Sequence, residues 1–308
     1  MTDVLEELRA ACGVVAERAE YVRIERERIA AYVATLPIDL PPGGSDPEVH
    51  PTEGTREELA AFWLTLDAIN FGSGWFPTLR KRSGRSGYFT IAGALHDRFV
   101  TSGPWSARAL AGLDEAALAR TLDQDPKHEL MALFARSLND LGRRVTTEHG
   151  GRFAAVVDGA GSSAVALVEH LSAWDSFADT SRYDRLALPF LKRAQIAAAD
   201  LARAGVAAFR DLDRLTMFAD NLVPHVLRLD GLLTYDARLL ARIGAGELIE
   251  HGSREEVEIR GCALHTVALL AAQRAGAREA DIDAVLWHRG QEPRYKAVPR
   301  HRTRCTAY

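Results

Sequence analysis

Three segments of the chain set ionisable side chains among apolar neighbours, where they have chemistry to do or need a partner. In Leu188-Pro-Phe-Leu-Lys192-Arg-Ala-Gln-Ile196 a lysine falls in the first turn of a helix expected to start at Pro189. The helix macrodipole opposes a cation there. Lys192 therefore either snorkels its ammonium to solvent or is held for a negative partner. In Leu215-Thr-Met-Phe-Ala-Asp220-Asn-Leu-Val-Pro224 a carboxylate ends an apolar run shortly before a proline. That position suits capping of the next helix or projection into a pocket. His225 follows on the same proline-started helix. The third segment, Arg254-Glu-Glu256-Val-Glu258-Ile-Arg260-Gly-Cys-Ala-Leu-His265, opens a long helix with acids gathered at its start, as the macrodipole favours. Glu256 and Arg260 stand at i,i+4, the better orientation for an ion pair. Val257, Ile259, Cys262 and Leu264 leave little room for a solvated face, so one of Glu256 and Glu258 is expected to turn inward. It then needs a donor, either a buried arginine or a base amine. His265, on the apolar face, reads as a hydrogen-bonded core histidine rather than a metal ligand.

A fourth group, Asp67, Asn70, Phe71, Trp75 and Phe76, surrounds a Gly-Ser-Gly turn and mixes stacking faces with hydrogen-bonding groups, as a planar heterocycle requires. Core packing by the aromatics is the competing reading. Gly159-Ala-Gly161-Ser-Ser-Ala164 imitates a dinucleotide-binding loop, but alternating strands and an acid after the next strand are missing. A glycine turn with Ser162 or Ser163 capping a helix fits better. No HExxH, GxSxG or Walker sequence occurs, so metalloprotease, serine-hydrolase and P-loop chemistry have no support.

The elements that must carry these groups are helical. Apolar residues from Val4 to Val33 recur at helical spacing, which predicts one long amphipathic helix with a break at Gly13. Residues 36–52 are rich in proline and glycine and read as a connector. Thr55 with Glu58 forms a capping-box signature for a helix over 55–69, which delivers Asn70 and Phe71 into the glycine turn. Further helices are expected over 87–100, 126–149, 162–174, 189–205, 224–229, 236–243, 255–274 and 279–289. Only 153–157 reads as a short strand. The class is all-α, a single globular domain over 1–308, with residues 1–54 as an accessory layer.

Bulk properties narrow the function. The chain has 308 residues with 47% apolar content, enough for a large core. With 38 basic and 42 acidic residues, a net charge of −4 and a pI near 6.2, no global field favours a nucleic-acid backbone. Cys12, Cys262 and Cys305 are odd in number and far apart, which fits a reducing compartment better than a disulfide framework or structural zinc. The N-terminus lacks a signal-peptide pattern and no apolar run is long enough to span a bilayer. A cytoplasmic protein without a membrane partner is expected.

The blocks LDAINF, SGYF, LPFLKRAQI, LTMFAD with VP, EEVEIRGCALH and PRHRTRC, in that order, resemble the queuosine salvage family of queuosine 5′-phosphate N-glycosylases. The resemblance covers residues 55–308. It implies an all-helical enzyme, related to helix-hairpin-helix DNA glycosylases, that hydrolyses queuosine 5′-monophosphate to queuine and ribose 5-phosphate without metal or organic cofactor and without binding nucleic acid. It implies that Asp220 and Lys192 are the catalytic pair. Cleaving a ribosyl C–N bond builds positive charge at the anomeric carbon, which a carboxylate stabilises, attacks, or relieves by deprotonating water. Lys192 orients Asp220 or grips the phosphate. A 7-deazapurine has carbon in place of N7, so contacts to the base must stabilise the leaving group elsewhere. Asp67, Asn70, Phe71 and Trp75 are expected to supply them, with His225 nearby and Glu256 or Glu258 on the base edge or aminomethyl cation. His301, Arg302 and Arg304 are expected to meet the phosphate. The chain departs from the family pattern at Asn221-Leu222 and His225, where relatives carry Tyr-Arg and Gln, and in the loop after Phe71. A nucleic-acid base glycosylase and a non-catalytic queuine-binding protein are the alternatives.

Overall fold

A computed structural model of the chain describes residues 3–37 and 46–308. Helix makes up 57% of the chain and strand 5%, so the molecule is a mostly helical single domain. The helices are α1 (Val4–Arg18), α2 (Ile29–Val33), α3 (Arg56–Ala68), α4 (Gly87–Ser102), α5 (Ala107–Ala111), α6 (Glu115–Leu122), α7 (Glu129–His149) and α8 (Phe153–Gly159) in the first half. They continue with α9 (Ala164–Ser172), α10 (Lys192–Arg203), α11 (Val223–Leu229), α12 (Ala237–Gly244), α13 (Arg254–Ala272), α14 (Glu279–Arg289) and α15 (Pro293–Lys296). Three short 3-10 turns (Arg26–Arg28, Phe76–Thr78 and Leu212–Arg214) and two antiparallel strand pairs complete the described elements. β1 (Val22–Ile24) pairs with β4 (Leu233–Tyr235), Val22 opposite Tyr235, and β2 (Thr180–Tyr183) forms a hairpin with β3 (Leu186–Pro189), Thr180 opposite Pro189.

Sequence and structure agree where caps are strong. Thr55 and Glu58 make the capping box that starts α3, and Ser163 caps α9 through the amide of Ala166. They differ where a distant side chain intervenes. The expected long N-terminal helix runs unbroken through Gly13 but ends at Arg18, because the buried Glu258 carboxylate accepts the amides of Glu20 (3.0 Å) and Tyr21 (2.6 Å) and turns the chain into β1. The expected strand over 153–157 is instead α8. Glu57 on α3 takes the amides of Phe153 (2.7 Å) and Ala154 (2.8 Å), a carboxylate at the helix N-terminus. Helix α10 begins at Lys192 rather than near Pro189, which belongs to β3. The hairpin, the β1–β4 pair, α5, α6 and α15 have no counterpart among the sequence expectations. Residues 38–45 of the expected connector lie outside the described residues.

One core runs through the domain, with α1 packed on α13, α3 on α10 and α5 on α7. The last contact is a close backbone crossing at Gly142. A Cβ built there would lie 2.3 Å from the Ala111 amide nitrogen and 2.5 Å from the Ala107 carbonyl oxygen. Among the described residues no helix is long and apolar enough to cross a membrane. Gly142→Ala should force α5 off α7 and lower stability by about 1–3 kcal/mol, read as a lower melting temperature. An unchanged melting temperature would contradict the crossing described.

Candidate active site

The 70–77 segment that follows α3, the start of α4, α10, the 218–222 segment, one face of α14 and the C-terminal residues enclose a cavity of about 1140 Å³. Its polar floor starts at Lys192. The ammonium is buried and donates to the Asn70 carbonyl oxygen (2.8 Å) and Oδ1 (3.1 Å). Burial lowers its pKa, while the nearby Asp220 and Asp67 carboxylates hold the charged form against that loss. Leu191, just before it, is in the left-handed region with φ 49°. The unusual backbone is tied down on both sides, for its amide bonds to the Asp179 carbonyl (3.1 Å) and the Lys192 amide to Asp179 Oδ2 (3.1 Å). Asp179 thereby supplies the anionic cap that Leu191 cannot.

Asp220 lines the same cavity. Its Oδ1 accepts the amides of Leu222 (2.8 Å) and Val223 (3.1 Å), which caps α11 and leaves Oδ2 without a hydrogen bond among the described residues. The sequence alternatives of cap and pocket group are thus both realised. The segment is held by Arg260, whose Nε donates to the Ala219 carbonyl (2.9 Å) while its two terminal nitrogens grip Asp179 (3.0 and 2.7 Å). Both side chains of that pair are fully buried. The rings of Phe190 and Tyr308 lie against the guanidinium, with centroids at 4.0 and 4.7 Å.

Other residues of the cavity wall were missed by sequence reasoning. Asp283 on α14 is buried and accepts the Phe218 amide (3.1 Å). Burial, with the Asp220 charge added, raises its carboxyl well above the usual range. Phe218, Tyr88 and Trp287 supply aromatic faces, the last two edge to face with centroids 5.8 Å apart. His50 accepts the Asp46 amide at Nδ1 (2.9 Å), so its proton sits on Nε2, which meets the Tyr88 hydroxyl (2.9 Å). Burial and the nearby Arg203 charge hold its pKa down at about 4, so the ring is neutral. Arg300 faces the cavity without a hydrogen bond or ion pair among the described residues. Burial lowers its pKa, with Asp220 acting the other way. Asp283 on a charged helix and His50 in a proline-rich stretch carried no periodic or motif signal.

Of the residues singled out in the sequence, Asp220, Lys192, Asn70, Phe71, Phe76 and Arg302 line the cavity, and Asp67, Trp75, His225, Glu256, Glu258, His301 and Arg304 do not. Asp67 is wholly buried beneath Asn70, and burial, then the neighbouring Asp200, raises its pKa well above normal. The Trp75 indole nitrogen donates to Glu129 (2.6 Å), and Arg304 covers that ring and pairs with Glu129 (3.4 Å). His225 is fixed by the Tyr295 carbonyl (2.9 Å). His301 is buried against Tyr308, and burial pushes its pKa down to about 3. Glu258 is satisfied by the Tyr183 hydroxyl (2.9 Å) and the Glu20 and Tyr21 amides. Glu256 faces Arg260 (3.7 Å) and His251 (3.6 Å) and accepts the Gly252 amide (3.0 Å). Where one inward acid was expected both are buried, and their donors are protein groups rather than a ligand.

Asp283 makes stability depend on pH in a defined direction. With its folded-state pKa above the unfolded value of about 3.9, the native chain holds a proton that the unfolded chain has released. Stability therefore falls as pH rises from the unfolded pKa up through the folded one. Asp283→Asn keeps an acceptor for Phe218 and should melt higher than wild type at neutral pH, with the two proteins converging in acid. A parallel pair of melting curves across pH would refute the assignment.

A family model described as queuosine salvage protein matches residues 49–308, a span that opens immediately before His50 and closes on the terminal Tyr308. A Sphaerobacter thermophilus protein named queuosine 5′-phosphate N-glycosylase/hydrolase is 34% identical over 308 residues, covering 96% of this chain and 95% of its own. Proteins of the same name from Bos taurus and Mus musculus are 31% identical over 291 residues and 30% over 281. They cover 85% and 82% of this chain and 84% and 83% of their own. Asp220 and Lys192 both fall within the matched residues, and the chain belongs to the queuosine salvage protein family.

Proposed function

We propose that the chain is an N-glycosylase that hydrolyses queuosine 5′-monophosphate to queuine and ribose 5-phosphate, within queuine salvage for tRNA modification. The observation that carries this reading is the Asp220 carboxylate, anchored through Oδ1 with Oδ2 free in the cavity and Lys192 near it. As the C–N bond breaks, its electron pair leaves with the base and positive charge grows at the anomeric carbon. A carboxylate fixed beforehand at that position stabilises the charge without having to reorganise. The oxygen of a water then bonds to the anomeric carbon, and its proton balances the one the base takes up. A buried Lys–Asp pair at the head of a helix also supports kinship with helix-hairpin-helix glycosylases.

The remaining groups divide the substrate between them. Phe218 and Trp287 offer faces to the 7-deazaguanine ring, and Asp283, with its raised pKa, offers a carboxyl that can donate as well as accept on the base edge. Lys192 holds Asn70 through two contacts and places positive charge near Asp220. Arg300 and Arg302 are the guanidinium groups that face the cavity from the C-terminal residues, so the 5′-phosphate is assigned to them and not to Arg304. The substrate is a small nucleotide. The negative net charge argues against a nucleic-acid substrate.

Incubation with queuosine 5′-monophosphate should release free queuine, detected chromatographically. Asp220→Asn should lower kcat by about a hundredfold or more while the protein stays folded, because the Oδ1 cap survives the change. No release by folded wild-type protein would end the glycosylase reading. Arg300→Met should reduce kcat/KM for the nucleotide by roughly ten- to a hundredfold, the loss of one charge-assisted contact. Its kcat/KM for unphosphorylated queuosine should not move. Equal losses on both substrates would remove Arg300 from the phosphate site.

A further inference from the structure

Away from the cavity, the C-terminal turn of α7 meets α9, and three potential ligands converge there. The Nε2 atoms of His149 and His170 lie 3.0 Å apart, with the rings nearly perpendicular at 89°. Glu148 completes the group, for one ligand atom from each residue falls within 4.8 Å of the others. Tetrahedral coordination with bonds of about 2.0 Å puts neighbouring ligand atoms roughly 3.3 Å apart. Closing on a cation therefore asks the two imidazoles to part by only a few tenths of an ångström.

The surroundings orient these groups. Arg144 Nη1 donates to Glu148 Oε1 (2.8 Å) and the indole nitrogen of the buried Trp174 to Oε2 (3.2 Å). Each oxygen keeps a lone pair in spare, so the carboxylate is aimed without being saturated. Trp174 also packs edge-on against both imidazoles, with centroids 5.9 and 5.1 Å away. None of the three residues lines the cavity.

We propose that Glu148, His149 and His170 bind one divalent transition-metal ion, with zinc the best match to two imidazoles and a carboxylate, and that the ion clamps the end of α7 to α9. Water fills the remaining coordination position. The site is independent of the glycosylase reaction, and because it exists only in the folded chain, the ion stabilises that state.

The test uses the full chain, stripped with chelator and dialysed, then titrated with zinc chloride by calorimetry and melted with and without zinc. Wild type should bind one equivalent and melt higher with zinc. His149→Asn and His170→Asn should each weaken binding at least about tenfold and abolish the zinc-dependent rise. Nickel should quench Trp174 fluorescence in wild type and not in these variants. If either substitution unfolds the metal-free protein, Glu148→Gln at the exposed carboxylate makes the same comparison. No zinc binding by wild type overturns the proposal, as does unchanged affinity in the variants, which would move the ion to the cavity carboxylates or the cysteines. Release of queuine by the variants should equal that of wild type, whichever way the metal result falls.

Discussion

The active cavity hangs on one buried ion pair, Arg260 with Asp179. Both side chains are fully excluded from water, and removing either partner would strand a buried charge, at about 3–5 kcal/mol. Measured against a well-packed apolar pair, such an arrangement adds little stability. What it supplies here is position. Asp179 caps Lys192 through its side chain and holds Leu191 through its carbonyl, and Arg260 fixes the residue before Asp220. The cation and carboxylate of the proposed chemistry come from segments far apart in sequence, yet a single bidentate contact sets the distance between them. Tyr308 and Phe190, lying against the guanidinium, bring the C-terminus and the hairpin into the same register.

The Lys-Arg-Ala-Gln-Ile block shows why a short motif can carry so much. Lys192 reaches Asn70 in the cavity. Arg193, one residue on, points the other way and donates to the Ala68 carbonyl (2.7 Å) and to Ser176, with Phe71 under its guanidinium at 5.1 Å. Gln195 bonds the Thr216 amide (2.8 Å) and hydroxyl (2.9 Å), which anchors the strand-like approach to Asp220. Ile196 returns to the cavity wall. Helical geometry sends successive side chains in different directions, so one turn of α10 holds α3, the 176–178 segment and the 215–220 segment at once. None of these polar residues can be exchanged for a merely helix-forming one without releasing a neighbour.

Most helices were legible because their caps and periodicity are local, as at Thr55, Ser163 and the 254–272 run. The misreadings share a cause. Glu258 ends α1 and Glu57 starts α8 from elsewhere in the chain, and no window of local sequence contains either influence. The same limit applies to the site. Lys192 and Asp220 stood out because apolar flanks made their charges conspicuous, and the same flanks pointed to one buried acid at the start of α13 where the structure buries both Glu256 and Glu258. The sequence could not say what would satisfy them, and a ligand amine looked as good as Arg260 or a backbone amide. Asp283, Trp287 and Arg300 went unread because a charged helix and a basic C-terminal segment look alike whether solvent or a cavity faces them.

The cavity also has an electrostatic logic. Asp67, Asp200, Asp220 and Asp283 crowd around one buried ammonium, and burial raises the pKa of Asp67, Asp200 and Asp283 before any mutual repulsion is added. Asp200 has Arg203 as a direct partner, whereas Asp67 keeps one oxygen without any hydrogen bond. A site built only to grip an anionic nucleotide would not accumulate acids at its floor. One built to receive a transient cation at the anomeric carbon would, provided the acids nearest that carbon stay ionised and those around it can hold protons. Asp220 is tied to two backbone amides with Lys192 alongside. Asp283, with a single amide and Asp220 pressing on it, has surroundings that favour the neutral form. The proposed division of labour between charge stabilisation at the sugar and hydrogen bonding at the base thus follows from the different partners of two carboxyls facing the same cavity.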